Sequence, residues 1–194
     1  MLEQPVYIRM STDKEAPYFK HQSSAEALIN CVMDAQNGGW MRLHGFIILP
    51  EALEMVATPI KQGVNGLVAH IQAESIPILS ILMPQAGLIW DTRYSHRTLE
   101  SQTALDARLN MLLLSPVAAG IVESAEKYPY SSANIRYAGM TSVYAGFKLL
   151  PRPVTSLSSG NGSVSASTVV NGNGSGTSSG TVSANGNAQD RTVS

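Results

Sequence analysis

His44-Gly45-Phe46-Ile47-Ile48-Leu49-Pro50-Glu51-Ala52-Leu53-Glu54-Met55-Val56 carries a strand, a turn and a returning strand in thirteen residues. Trp40 to Leu49 reads as a strand with a largely buried face. Pro50-Glu51 reads as a turn, because proline cannot donate to a strand ladder. Leu53 to Ala57 alternates weakly and reads as the hairpin partner.

Upstream, Pro5-Val6-Tyr7-Ile8-Arg9-Met10 is a short β-like run. Ser23-Ser24 precede Ala25-Glu26-Ala27-Leu28-Ile29, a helix start with an acidic first turn, and Asn37-Gly38-Gly39 stops that helix. Downstream, Val64, Leu67, Val68 and Ile71 have helical spacing, and Leu88 to Thr98 reads as a strand. Ser101 to Leu114 is a helix with Ser101 as its cap and Leu105, Leu109, Leu112 and Leu113 as its core stripe; Pro116 is expected to stop it. A last helix-like segment spans about Tyr128 to Tyr137. The order β-α-β-β-α-β-α fits an α+β fold, an antiparallel sheet covered by helices on one side.

Composition sets outer bounds. The chain has 194 residues, 44% hydrophobic and 14% charged, with a formal net charge of −1. That charge argues against a protein that coats nucleic acid by charge alone. The single cysteine, Cys31, excludes an internal disulfide and a cysteine-built zinc site, and its apolar neighbours read as core. The start of the chain does not read as a secretory signal, and no run of about 20 apolar residues exists, so no membrane span is expected. The cytoplasm is the expected compartment. Near Pro151-Arg152-Pro153 the composition changes to Ser, Gly, Asn, Thr, Val and Ala. Residues 1–150 read as the folded domain and residues 151–194 as a flexible Ser/Gly/Asn/Thr-rich tail, which lacks the apolar surface needed to offset its ordering entropy.

Three stretches, taken in order, resemble one family. They are the His44–Val56 run, Ile89-Trp90-Asp91-Thr92-Arg93-Tyr94, and Leu114-Ser115-Pro116-Val117-Ala118-Ala119-Gly120-Ile121-Val122 continued by Lys127-Tyr128-Pro129-Tyr130-Ser131-Ser132. Together they resemble the single-tyrosine HUH transposases, most closely the REP-associated tyrosine transposases, over about residues 5–140. The resemblance implies a ferredoxin-like antiparallel sheet with helices packed on one face. It also implies a chemistry in which two histidines at alternate strand positions hold a divalent metal, a helical tyrosine attacks the phosphate, and a polar residue one turn later completes the metal shell.

Carried over residue by residue, the histidine pair falls on Ala52 and Glu54, the tyrosine on Met111 and the polar residue on Ser115. Alanine cannot bind metal, and methionine supplies no nucleophile. One carboxylate beside a serine is a poor cage for magnesium or manganese. The chain is therefore expected not to be an enzyme and to have no catalytic residue, metal site or cofactor. His44 fits the histidine the family often has before the strand and reads as a packed core histidine. His21, His70 and His96 have no metal spacing.

The candidate nucleic-acid residues are Arg93, Tyr94 and Arg97, with His96 beside them and with Lys61, Arg42 and Arg108 as possible extensions. Two readings of the cluster stand: a phosphate-and-base grip, or a solvated strand face. Two also stand for Ile76-Pro77-Ile78-Leu79-Ser80-Ile81-Leu82-Met83: core, or an exposed patch for self-association or a protein partner. Two function classes follow. One is a catalytically inactive transposase-like protein kept as a DNA-binding or regulatory module for single-stranded or hairpin DNA. The other is a repurposed protein-interaction or structural subunit that no longer binds DNA.

Overall fold

The structure is a computed structural model and describes residues 4–137 and 139–141. Seven main elements follow one another: β1 (Val6–Thr12), α1 (Gln22–Asn37), β2 (Met41–Leu49), β3 (Ala52–Pro59), α2 (Gly63–Leu82), β4 (Trp90–Thr98) and α3 (Gln102–Ala118). The strands form one antiparallel sheet in the order β2-β3-β1-β4. The α+β class, the ferredoxin-like sheet and the element order match the sequence reading. The tail expected over 151–194 lies outside the described residues.

Strand alternation divides the core into two layers. Val6, Ile8 and Met10 of β1, Leu53, Met55 and Ala57 of β3, and Phe46 and Ile48 of β2 share one cluster with Leu28 and Val32 of α1 and Leu67, Ile71 and Leu79 of α2. Tyr7, Ile47 and Val56 point the other way and pack on Leu105, Leu109, Leu112 and Leu113 of α3. The expectation of helices on one face thus holds for α1 and α2. It needs correction for α3, which covers the opposite face because Tyr7, Ile47 and Val56 on that face are also apolar. Gly45 makes room for it: a Cβ at that position would lie 2.7 Å from a Leu109 methyl.

Local expectations hold in part. Gly39 adopts φ +71° and ends α1 as expected. That helix begins at Gln22, ahead of the serines; the Ser24 hydroxyl is buried and donates to backbone carbonyls at Tyr18 and His21. Ser101 caps α3, its hydroxyl accepting from the Ala104 N–H at 3.1 Å. Pro116 does not stop the helix. Proline's missing N–H frees the Leu112 carbonyl, and the Ser115 hydroxyl takes that place at 2.9 Å.

The α2 helix continues past Ile71 and through Pro77 because Ser75 and Leu79 extend its buried row. The Ile76–Met83 run consequently splits. Leu79 and Met83 are buried, while Ile76, Ile78, Ile81 and Leu82 face outward. The helix expected over Tyr128–Tyr137 is replaced by turns around an isolated β-bridge between Ser131 and Ile47, followed by a 3-10 turn at Ile135–Tyr137. Tyr130 to Ser132 instead runs beside the free edge of β2: the Ile48 N–H reaches the Tyr130 carbonyl at 2.8 Å, and the Ser132 N–H reaches the Phe46 carbonyl at 3.0 Å. Pairing an edge strand satisfies groups that a helix here would leave open.

Candidate functional site

The sheet face beneath α3 carries an unusual polar cluster. Arg9 of β1 lies opposite Glu54 of β3, and Tyr7 of β1 lies opposite Val56 of β3 and Arg97 of β4. Residues directly opposite on an antiparallel ladder project to the same face. The Arg9 guanidinium pairs with the Glu54 carboxylate and sits 3.8 Å from Glu51. The Tyr7 hydroxyl donates to Glu54 from the other side. From α3, the Arg108 guanidinium lies 3.7 Å from the centre of the Tyr7 ring, a cation–π contact. Burial, and then the adjacent Glu54 charge, push the Tyr7 phenol up to about 12. Tyr7 is therefore held as a neutral donor and not as a ready nucleophile.

All four positions to which the resemblance assigns the family's chemistry lie on β3 or α3. The Ala52 side chain is fully buried. Glu54 is committed to Arg9 and Tyr7. Met111 projects into solvent, 65% exposed. The Ser115 hydroxyl is spent on the Leu112 carbonyl. A divalent metal needs several oxygen or nitrogen donors converging with free lone pairs, and this set does not fit one. Among the described residues, no three His, Cys, Asp or Glu side chains converge to hold a metal ion. His44 is buried on β2, its Nε2 2.8 Å from the Thr58 hydroxyl. His70 stacks on Trp40 with ring centres 4.0 Å apart.

The Arg93–Tyr94–Arg97 group does not form a single patch. Tyr94 lies opposite Met10, on the α1/α2 face, and its hydroxyl bonds to Asn65 of α2. Arg97 lies opposite Tyr7, on the α3 face. The Arg93 side chain stands in solvent, 3.7 Å from Asp91. Lys61 is held elsewhere: its ammonium donates to the Gly38 carbonyl at 2.6 Å and lies 5.6 Å from the centre of the Trp40 ring. Strand pleating and a register shift between Met10 and Thr12 separate residues that are neighbours in sequence.

Sequence reasoning passed over Tyr7 and Arg9, and it named Arg108 only as an extension of the patch. A charged residue at position 9 inside an apolar strand is a signal, but its partner depends on register. Beside this cluster runs an open groove of about 640 Å³ between the end of β4 and the first half of α3, lined by Arg97, Leu99, Ser101, Ala107, Arg108 and Met111 among others.

No protein-family model matches the chain, and no curated protein does. Among solved structures, the chain is similar to a REP-associated tyrosine transposase bound to a REP hairpin, with a TM-score of 0.52 and 13% identity over 68% of this chain and 78% of that one. That likeness shows a transposase-like fold. A candidate transposase from Deinococcus radiodurans R1 matches with a TM-score of 0.45 and 16% identity, over 56% of this chain and 88% of that one. A bacterial tRNA(His) guanylyltransferase-like protein in complex with ATP matches with a TM-score of 0.44 and 13% identity, over 66% of this chain and 62% of that one.

Proposed function

We propose that this chain is a catalytically inactive transposase-like protein that acts in the cytoplasm as a DNA-binding or regulatory module, recognising hairpin DNA without cutting it. The observation that carries this reading is the Arg9–Glu54–Tyr7 cluster. Where the resemblance places two metal-holding histidines, an arginine already supplies the positive charge and Glu54 is fully engaged. Ala52, Met111 and Ser115 offer no replacement ligand set or nucleophile. Support for retained DNA recognition comes from the fold likeness to a transposase bound to a hairpin and from Arg97 and Arg108 on the same face. Neither arginine has a carboxylate partner among the described residues, and unpaired guanidiniums suit phosphates.

The test is binding of the full chain to hairpin DNA at about 50 and about 200 mM salt, with magnesium present and cleavage followed on the same gel. The expected result is binding that weakens at the higher salt, with uncut DNA and no protein–DNA adduct. Magnesium-dependent cleavage or a covalent adduct overturns the inactive reading, and no binding at either salt overturns DNA recognition.

A second reading, a protein-interaction subunit, is favoured by one feature. Ile78, Ile81 and Leu82 form an exposed apolar flank on α2. An oligomer indifferent to DNA and dissolved by Ile81→Glu is the result that would support it.

A further inference from the structure

The strand order β2-β3-β1-β4 leaves the sheet two edges, and the chain treats them differently. It covers the β2 edge itself, through the bonds between Ile48 and Tyr130 and between Ser132 and Phe46. Among the described residues, no strand or loop covers the β4 edge. Register fixes which groups stand open there. The Leu99 N–H donates to the Pro5 carbonyl at 2.8 Å, and Arg97 and Ser95 lie opposite Tyr7 and Arg9. Ladder bonds alternate along an antiparallel pair, so Leu99, Arg97 and Ser95 turn their backbone groups to β1. The N–H and C=O groups of Tyr94, His96 and Thr98 therefore point outward. The strand is nine residues long, and Thr92, Arg93 and the run from Ser95 to Thr98 are exposed. It carries two arginines against one carboxylate, Asp91.

We propose that the outer edge of β4 takes up an extended, acidic segment of a partner protein as a fifth strand. An edge with alternating N–H and C=O groups calls for a backbone that both donates and accepts. A peptide strand does both. A phosphodiester chain offers acceptors only and would leave the Tyr94, His96 and Thr98 carbonyls unpaired. Alternation also sets the side chains. Residues of the added strand on the Arg97 side meet guanidinium charge and suit aspartate or glutamate. Those on the other side meet the Tyr94 and His96 rings, whose centres lie 5.7 Å apart, and suit an apolar residue. The same charges turn a second copy away. Antiparallel β4–β4 pairing about Ser95 would set Arg93 of each copy against Arg97 of the other, like charges directly opposite. This surface is independent of the DNA-binding reading above.

The test is fluorescence anisotropy of the full chain with a labelled peptide of alternating glutamate and valine, matched in length to β4. A second peptide has every backbone nitrogen methylated, which keeps its charges and removes its donors. His96→Pro removes an outward N–H and obstructs the new ladder, and proline is tolerated on an edge strand where that N–H faces away from the sheet. Arg93→Glu reverses a charge on the edge, and Lys127→Ala is a distant control. The unmethylated peptide is expected to bind saturably. Methylation and His96→Pro are each expected to weaken binding at least tenfold, Arg93→Glu about fivefold, and Lys127→Ala not at all. Thermal melting checks that each variant is folded, and the methylated peptide tests the edge on the wild-type chain whatever the variants do. No saturable binding up to about 1 mM peptide, or equal binding of the methylated peptide, overturns the proposal. A dimer in sedimentation that His96→Pro dissolves would give the edge to a second copy and overturn it as well. So would hairpin DNA that displaces the peptide and is itself weakened by His96→Pro.

Discussion

Arg9 and Glu54 face each other across the β1–β3 ladder and join as an ion pair in which only 30% and 13% of the two side chains remain exposed. The pair sits beneath α3 with the Tyr7 hydroxyl on the same carboxylate, so neither charge can be removed without leaving the others underused. Glu54→Gln keeps the shape and removes the charge. It is expected to cost about 1–3 kcal/mol in urea denaturation. Arg9→Met combined with Glu54→Leu is expected to recover part of that loss, with a measurable coupling term in the double-mutant cycle. Unchanged stability in Glu54→Gln would show that the cluster does not hold this face together.

Alkaline pH should loosen the same face. Burial is the main cause that pushes both the Tyr7 and Tyr128 phenols up to about 12, against about 10 in an unfolded chain. Each phenol holds its proton more tightly folded than unfolded. The stability from this source is therefore full below about pH 10 and lost as pH rises towards about 12. Thermal midpoints should fall across that window, and Tyr7→Phe should flatten the fall. A fall of equal depth in Tyr7→Phe would assign the effect elsewhere.

Gly45 is where α3 comes closest to β2. A Cβ there would lie 2.7 Å from Leu109 and 3.4 Å from the Ser132 hydroxyl. Gly45→Ala is expected to destabilise by about 1–3 kcal/mol through overpacking. Adding Leu109→Ala should return some of that stability; simple additivity of the two losses would mean that the contact is not what limits the site.

The two sides of α2 should respond differently. Leu79 is fully buried, whereas Ile81 is 80% exposed. Leu79→Ala is expected to cost about 2–5 kcal/mol, and Ile81→Ser to stay within about 0.5 kcal/mol. A large loss in Ile81→Ser at high dilution would mean that this flank is covered in the folded chain.

Much of the local structure was legible because its causes are local. The leucine spacing of α3, the Ser101 cap, the Gly38-Gly39 stop and the strand–turn–strand run around Pro50 each depend on a few adjacent residues. The errors came from a local repair in one place and from a distant partner in another. Pro116 did not end α3 because Ser115 repaired the bond that proline removes. The segment after Tyr128 did not form a helix because β2 had an edge to cover.

The candidate site was less legible for the same reason. Arg93, Tyr94 and Arg97 look like a cluster on paper, but pleating sends Tyr94 to α2 and Arg97 to the α3 face. Tyr7 and Arg9 of β1, Glu54 of β3 and Arg108 of α3 come from three distant parts of the chain and meet beneath α3.

By itself the sequence determined the α+β class, the order of the elements and the residues present at the four positions where the resemblance expects chemistry. Those follow from periodicity, turn residues and residue identity, which are properties of short stretches. Tertiary structure alone decided that α3 covers the second face of the sheet, that Arg9 meets Glu54, and that Arg97 and Arg108 border one groove. Each of these depends on strand register and on which apolar face finds a partner, and a one-residue shift in either would send the same side chains to the other side of the sheet.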